Sequence, residues 1–245
     1  MFTVIKSMKI YAISLQRCTR RREMLQRQLN SSGLEYELFD AIDGQLGQTK
    51  RFDQYCPTLS RRRYGKPMSP GQIGCFASHY LIWKKIAYRK QPAIVIEDDV
   101  TIKASIGQVL SILEEIINQY EFIRLESAFV KPYKPLSEKR AGHRVVRYVK
   151  PPRGTAGYAL APEGAEKLLA KAAVWGEPVD HYIDHYWRHG LKPYAIFPLC
   201  IEQNGSLSSE ITLKKSPVPP MQKMIREWFR LYYTCRLWMA NHVTS

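Results

Sequence analysis

The chain has 245 residues, enough for one large domain or one domain with an appendage, and its 45% hydrophobic and 24% charged residues are those of an ordinary globular protein. The net charge of +15 is not ordinary and asks for an anionic partner: nucleic acid, a phosphorylated substrate or an acidic membrane surface. Five cysteines without a CxxC pair argue against a disulfide framework or a cysteine zinc site, and neither a membrane-spanning apolar run nor a secretory core is present, so the expectation is a cytosolic protein that rests on a membrane.

Residues 9–15 (KIYAISL) read as a buried strand. A basic helix follows over 16–30, with Met24, Leu25 and Leu29 as its apolar positions, and Ser31-Ser32-Gly33 ends it. A short strand over 36–39 and the turn Asp40-Ala41-Ile42-Asp43-Gly44 complete strand–helix–strand, the start of a parallel α/β sheet. Residues 47–66, with Arg61-Arg62-Arg63, lack periodicity and read as an irregular insertion. Ser69, Pro70 and Gln72 then spell a capping box with proline at the first helical position, opening a helix that runs to about Arg89.

Residues 94–100 (IVIEDDV) organise the rest. An apolar β-branched run is a strand buried on both faces, and acids at its C-terminal end fall where open α/β sheets place ligands. Unit charges 4 Å apart repel by about 4 kcal/mol at an effective dielectric of 20. Glu97, Asp98 and Asp99 therefore suit a hard divalent cation, Mn²⁺ or Mg²⁺, bridged to a diphosphate. The plainer reading is a solvated acidic turn.

Beyond it the pattern predicts a helix over 105–119, a strand over 121–125, a charged loop or hairpin over 131–147 and a small-residue strand over 154–160. Helices over 162–171 and 178–189, a strand over 194–198 and a polar loop over 199–211 come next. A proline-rich linker over 216–220 leads to one amphipathic helix over 221–241. The last helix combines Trp228 and Tyr232 with Lys223, Arg226, Arg230 and Arg236, which suits an anionic membrane surface. Packing on the rest of the chain or on another subunit is the alternative, and a homo-oligomer stays open.

Several short motifs stand in a fixed order. They are Ile13-Ser14-Leu15 with Arg17, Arg20 and Arg21; Asp40-Ala41 with Gly44; Gly71 with Gly74-Cys75-Phe76-Ala77-Ser78-His79; Ile96-Glu97-Asp98-Asp99; Gly154-Thr155-Ala156-Gly157-Tyr158; Pro178-Val179-Asp180; and Pro198 with Gln203 and Ser208. In this order, over residues 9–211, the chain resembles glycosyltransferase family 25, the family of lipooligosaccharide-biosynthesis and collagen-galactosyltransferase proteins. The resemblance implies a GT-A-like fold, a Rossmann-like mixed sheet flanked by helices, over residues 1–215, with residues 216–245 as linker and appended helix. It implies an inverting transfer of galactose from UDP-galactose to a lipooligosaccharide outer-core saccharide, with UDP-glucose as the alternative donor.

Under that resemblance Glu97 and Asp99 hold the metal, while Asp98 points to the opposite face and holds the ribose or supports the loop. Ser14, Leu15, Arg17, Arg20 and Arg21 bind the nucleotide, and arginine can grip phosphate bidentately. His79, Thr155, Tyr158, Gln203 and Ser208 contact donor or acceptor sugar. Asp180 is the base that takes the acceptor's proton, with Asp184 and Glu177 as alternatives; the plainer role for Asp180 is to charge a helix N-terminus. His181 and His185, spaced i, i+4, face together, and one of them could complete the Mn²⁺ site. A nucleic-acid-binding protein is the rival of another class. It would need stacking aromatics interleaved with the arginine runs, whereas most aromatics here fall in strands or helices.

Overall fold

A computed structural model of the chain describes residues 8–129, 131–204 and 220–242. In chain order its elements are β1 (Lys9–Ser14), α1 (Thr19–Ser31), β2 (Tyr36–Asp40), α2 (Pro57–Tyr64), α3 (Pro70–Arg89), β3 (Ala93–Glu97), β4 (Val100–Ile102), α4 (Ile106–Tyr120), β5 (Phe122–Arg124), β6 (Tyr133–Pro135), β7 (Arg144–Tyr148), β8 (Gly157–Leu160), α5 (Pro162–Lys171), α6 (Val179–Asp184), β9 (Tyr194–Phe197), β10 (Ile201–Gln203) and α7 (Pro220–His242). Eight strands form one mixed sheet in the order β2-β1-β3-β8-β5-β9-β7-β6. The triple β2-β1-β3 is parallel, so its C-terminal ends open on one side.

Strand alternation divides the core in two. Tyr11, Ile13 and Val95 pack on the face that also carries α3, α5 and α6. Ile10, Ala12, Ile94 and Ile96 pack on the other, against Leu25 and Leu29 of α1 and the apolar side of α4. β3 is thus buried on both faces, as its unbroken apolar run predicts.

α3 begins with the predicted capping box: Ser69 Oγ accepts from Gln72 N–H at 3.2 Å, and Gln72 Oε1 accepts from Ser69 N–H at 2.9 Å. Its first turns press against the loop after β2. A Cβ on Gly44 would collide with the Pro70 carbonyl, and one on Gly74 with that of Ile42. Ser78 Oγ accepts from Ile42 N–H at 2.8 Å and donates to the Gly74 carbonyl at 2.8 Å. These contacts set the loop beside the end of β3.

Three expectations change. Residues 47–66 are not wholly irregular: a 3₁₀ turn covers Gln48–Arg51, and α2 forms between Pro57, at a first helical position, and the left-handed Gly65. With only Ser60 buried in α2, no apolar periodicity announces it. The helix expected over 178–189 stops at Asp184, because the His185 ring engages Glu177 and stacks on Tyr233. The loop expected over 199–211 includes β10, which pairs antiparallel with β4. The strand with acids at its end is β3, and the chain bends at Asp98–Asp99 before β4.

α7 runs along the domain. Asn241 accepts from Tyr186 Oη at 2.9 Å and donates to the Val149 carbonyl at 3.0 Å, while Tyr233 stacks on His185 with ring centroids 4.2 Å apart. Met221, Met224, Trp228, Leu231 and Trp238 stay exposed, Trp228 by 74%. The boundary expected near 215 and most of the expected linker lie outside the described residues.

Candidate active site

Because the chain leaves the strand after Glu97, strict alternation ends there. Asp98 does not turn to the opposite face: Glu97, Asp98 and Asp99 border one cavity together with Ser14, Leu15, Arg17, Arg21 and Cys75. The cavity lies at the C-terminal ends of β1 and β3, where the loop after β2 and the start of α3 close it.

Each acid is held differently. Asp98 is 6% exposed, accepts from Ser14 Oγ at 2.6 Å and pairs with Arg21. Burial still leaves its pKa above the ordinary value, against the pull of Ser14 and Arg21. Asp99 lies 3.6 Å from Arg21, and its Oδ1 is buried without a partner. Burial, followed by the charge of Glu97, pushes the Asp99 pKa up to about 6.

Glu97 is the best supported. Its Oε1 accepts from Thr155 Oγ1 at 2.6 Å and meets His79 Nε2 at 3.1 Å. His79 Nδ1 is 2.8 Å from Tyr158 Oη, which accepts from Trp83 Nε1–H at 2.9 Å. An indole N–H only donates, so the phenol has its own hydrogen left for Nδ1, and Nε2 carries the hydrogen that faces Glu97. Burial raises the Glu97 carboxyl, but the bonds from His79 and Thr155 prevail and hold it below its ordinary value. His79 and Tyr158 are each 1% exposed; His79 still borders the cavity beside Glu97, and Tyr158 lies behind it.

Of the basic residues after β1, Arg17 and Arg21 reach the cavity, Arg17 through Asp43. Arg20 lies exposed on α1 and Arg22 pairs with Asp40 at 2.7 Å, so neither lines it. Gln203, exposed on β10, pairs with Val100 beside Asp99 but does not itself line the cavity, and Ser208 lies outside the described residues.

Asp180 sits in the first turn of α6, its side chain 30% exposed. Its charge is felt at Cys75 on the cavity wall, where burial first, then Glu97 and Asp180, push the thiol pKa well up. Asp184 turns elsewhere: it pairs with Arg124 and accepts from Arg153 N–H at 3.1 Å. Glu177 is 1% exposed and enclosed by Arg63, Arg188, His185 and Tyr64, which leaves no side free for an acceptor's proton.

His181 and His185 do not form a ligand pair. His185 has left the helix for Glu177, and His181 Nδ1 meets Tyr64 Oη at 3.2 Å. Among the described residues the group whose ligand atoms converge within 4.8 Å is Cys75, His79 and Glu97. Both His79 nitrogens already have partners, so the carboxylate oxygens of Glu97 and the orphan Oδ1 of Asp99 are what a cation would find. Oxygen donors of this kind suit Mn²⁺ or Mg²⁺.

One acid escaped the sequence reading. Glu126, just past β5, is fully buried, and neither carboxylate oxygen has a hydrogen-bonding partner beyond a weak approach of the Ala156 amide. A Cβ on Gly154, at φ +93°, would collide with it. Burial, opposed by Arg124 and reinforced by Glu97 and Asp99, pushes its pKa up to about 8. The available signal was an acid directly after an apolar strand, the same signal that marks Glu97.

The model of glycosyltransferase family 25 (LPS biosynthesis protein) matches residues 7–183. Procollagen galactosyltransferase 2 of Homo sapiens is 28% identical over 219 residues, covering 79% of this chain and 34% of the relative. A glycosyltransferase 25 family member of Aedes aegypti is 32% identical over 185 residues, covering 71% and 30%. A lipooligosaccharide biosynthesis protein of Haemophilus influenzae is 28% identical over 172 residues, covering 65% and 62%. The chain therefore spans about a third of the length of the two animal relatives.

Proposed function

The chain belongs to glycosyltransferase family 25, and from that premise we propose that it transfers galactose from UDP-galactose to a lipooligosaccharide saccharide by one inverting displacement on a GT-A-like domain. The observation that carries this reading is the meeting of Glu97, Asp98 and Asp99 with Arg17 and Arg21 on one cavity at the ends of parallel strands. Glu97 and Asp99 would hold Mn²⁺ or Mg²⁺, whose charge offsets that of the departing diphosphate. Arg17 and Arg21 add fixed positive charge on the same wall, and Ser14 with Arg21 fixes Asp98 for the ribose. Thr155 and His79, the latter braced by Tyr158 and Trp83, keep Glu97 ionised and in place. Asp180 takes the proton of the attacking acceptor hydroxyl.

UDP-glucose is the second donor to try. The exposed apolar face of α7, flanked by Lys223, Arg226, Arg230 and Arg236, is read as the contact with an anionic membrane, on the cytoplasmic side where nucleotide sugars are made.

The test is calorimetric titration with UDP, UDP-galactose and UDP-glucose, first with Mn²⁺ and then with EDTA. Binding of the UDP ligands that EDTA abolishes is expected. Asp99→Ala should weaken Mn²⁺-dependent UDP binding at least tenfold; near-normal binding in that variant would sink the metal assignment.

A further inference from the structure

A second groove of about 390 Å³ lies between the domain and α7. Its wall carries Lys131, Lys150 and Arg153 together with Phe129, Trp187 and Tyr233. Among the described residues, none of the three cations is in an ion pair with a carboxylate. The acid on the wall, Asp184, is already committed to Arg124 and to the Arg153 amide. The three line one bounded space, and Asp184 is the acid that shares its wall.

The groove is built. Arg153 has φ +62°, a conformation rare for a residue with a side chain. Its N–H donates to Asp184 Oδ2 at 3.1 Å, and its carbonyl accepts from Arg124 Nη1 at 3.2 Å. Strained backbone persists where its surroundings over-determine it. On the opposite side Tyr233 of α7 stacks on His185, whose centroid is 4.9 Å from that of Trp187. The chain links the groove to the acid cavity: Arg153 is two residues from Thr155, which holds Glu97, and His181 on the groove wall follows Asp180.

We propose that this groove binds an anionic saccharide, one bearing a phosphate or carboxylate, as the acceptor subsite. The proposal rests on reading the chain as a sugar transferase. The aromatic faces take the apolar face of a pyranose, and the three cations take the anionic substituent through charge-assisted hydrogen bonds. Small-molecule pockets of this size combine an apolar lining with a few placed polar groups in the same way. Specificity would then come from charge: a neutral saccharide would leave the three cations without an anionic partner.

The experiment uses the full chain and three probes, trehalose 6-phosphate, trehalose and inorganic phosphate, titrated with and without saturating UDP and Mn²⁺. Trehalose 6-phosphate should bind at least tenfold tighter than either other probe and should not be displaced by UDP. Lys131→Glu with Lys150→Glu should erase that preference while the melting temperature and UDP binding stay as in the parent. Trp187→Ala should weaken both sugars and leave phosphate unchanged. Equal binding of the two sugars, no binding of any probe, displacement by UDP, or indifference to the double substitution would each overturn the proposal. A parent chain that binds trehalose 6-phosphate but never UDP would instead overturn the nucleotide-sugar reading of the acid cavity and leave the groove as an anionic-saccharide site.

Discussion

Glu97 ends β3, Glu126 lies two residues past β5, and the two acids meet opposite fates. Glu97 gains Thr155 and His79, and its carboxyl lies low; Glu126 gains almost nothing, and burial lifts its pKa to about 8. A carboxyl whose folded pKa lies above its ordinary 4.5 gives full stability below that value and loses it as the pH rises towards 8. Between pH 4.5 and 7 the loss is on the order of 3 kcal/mol. Glu126→Gln should therefore abolish this decline and raise the urea midpoint at pH 8. A midpoint in the variant that falls with pH as steeply as in the parent would mean the strain lies elsewhere. The acid at position 126 was readable; its isolation was not, because that depends on Gly154, Arg124 and the acid cavity meeting in space.

At the scale of elements, α3 is the part the sequence specifies most fully, since a capping box and a first-turn proline act within three residues. What α3 packs against is a different matter. Gly74 is needed because the Ile42 carbonyl fills the space of a Cβ. Gly74→Ala should cost about 1–3 kcal/mol, read as a drop in urea midpoint, despite alanine's better helix propensity. The same division holds for α7: its spacing predicts the helix, but only tertiary contacts show that Asn241 and Tyr233 bind one side to the domain and leave Trp228 outside. Trp228→Glu should lower cosedimentation with anionic vesicles several-fold while leaving UDP binding intact. Equal sedimentation would remove the membrane from the account. α6 shows the reverse failure, since side-chain partners at His185 end a helix that local spacing would continue.

For the molecule as a whole, a single buried acid joins distant parts. Glu177 draws together Arg63 from α2, Arg188 and His185 beyond α6, and Tyr64. Burial works against its ionisation, but the bonds and charges of His185, Arg188 and Arg63 lower its pKa to about 2. With the folded pKa below the ordinary 4.5, this stability is complete above pH 4.5 and lost as the pH falls through 2, about 3 kcal/mol in total. Glu177→Gln, which strands the surrounding cations, should cost about 3–5 kcal/mol at pH 7 and flatten the acid limb of the stability curve. Urea unfolding at pH 7, 4 and 3 reads both effects.

The sequence by itself determined the alternation of strands and helices, the capped α3, the strand-end acids and the family. Each depends on residues a few positions apart or on an ordered set of motifs. Tertiary structure alone decided that Asp98 shares the cavity with its neighbours, that Trp83 and Tyr158 brace Glu97 through His79, that Glu126 is stranded, and that a cationic groove lies under α7. Arg63 and Glu177 are 114 positions apart, and no local pattern encodes such a pair. Side-chain hydrogen bonds and burial depend on which surfaces the sheet brings together, and that is settled only when the whole chain packs.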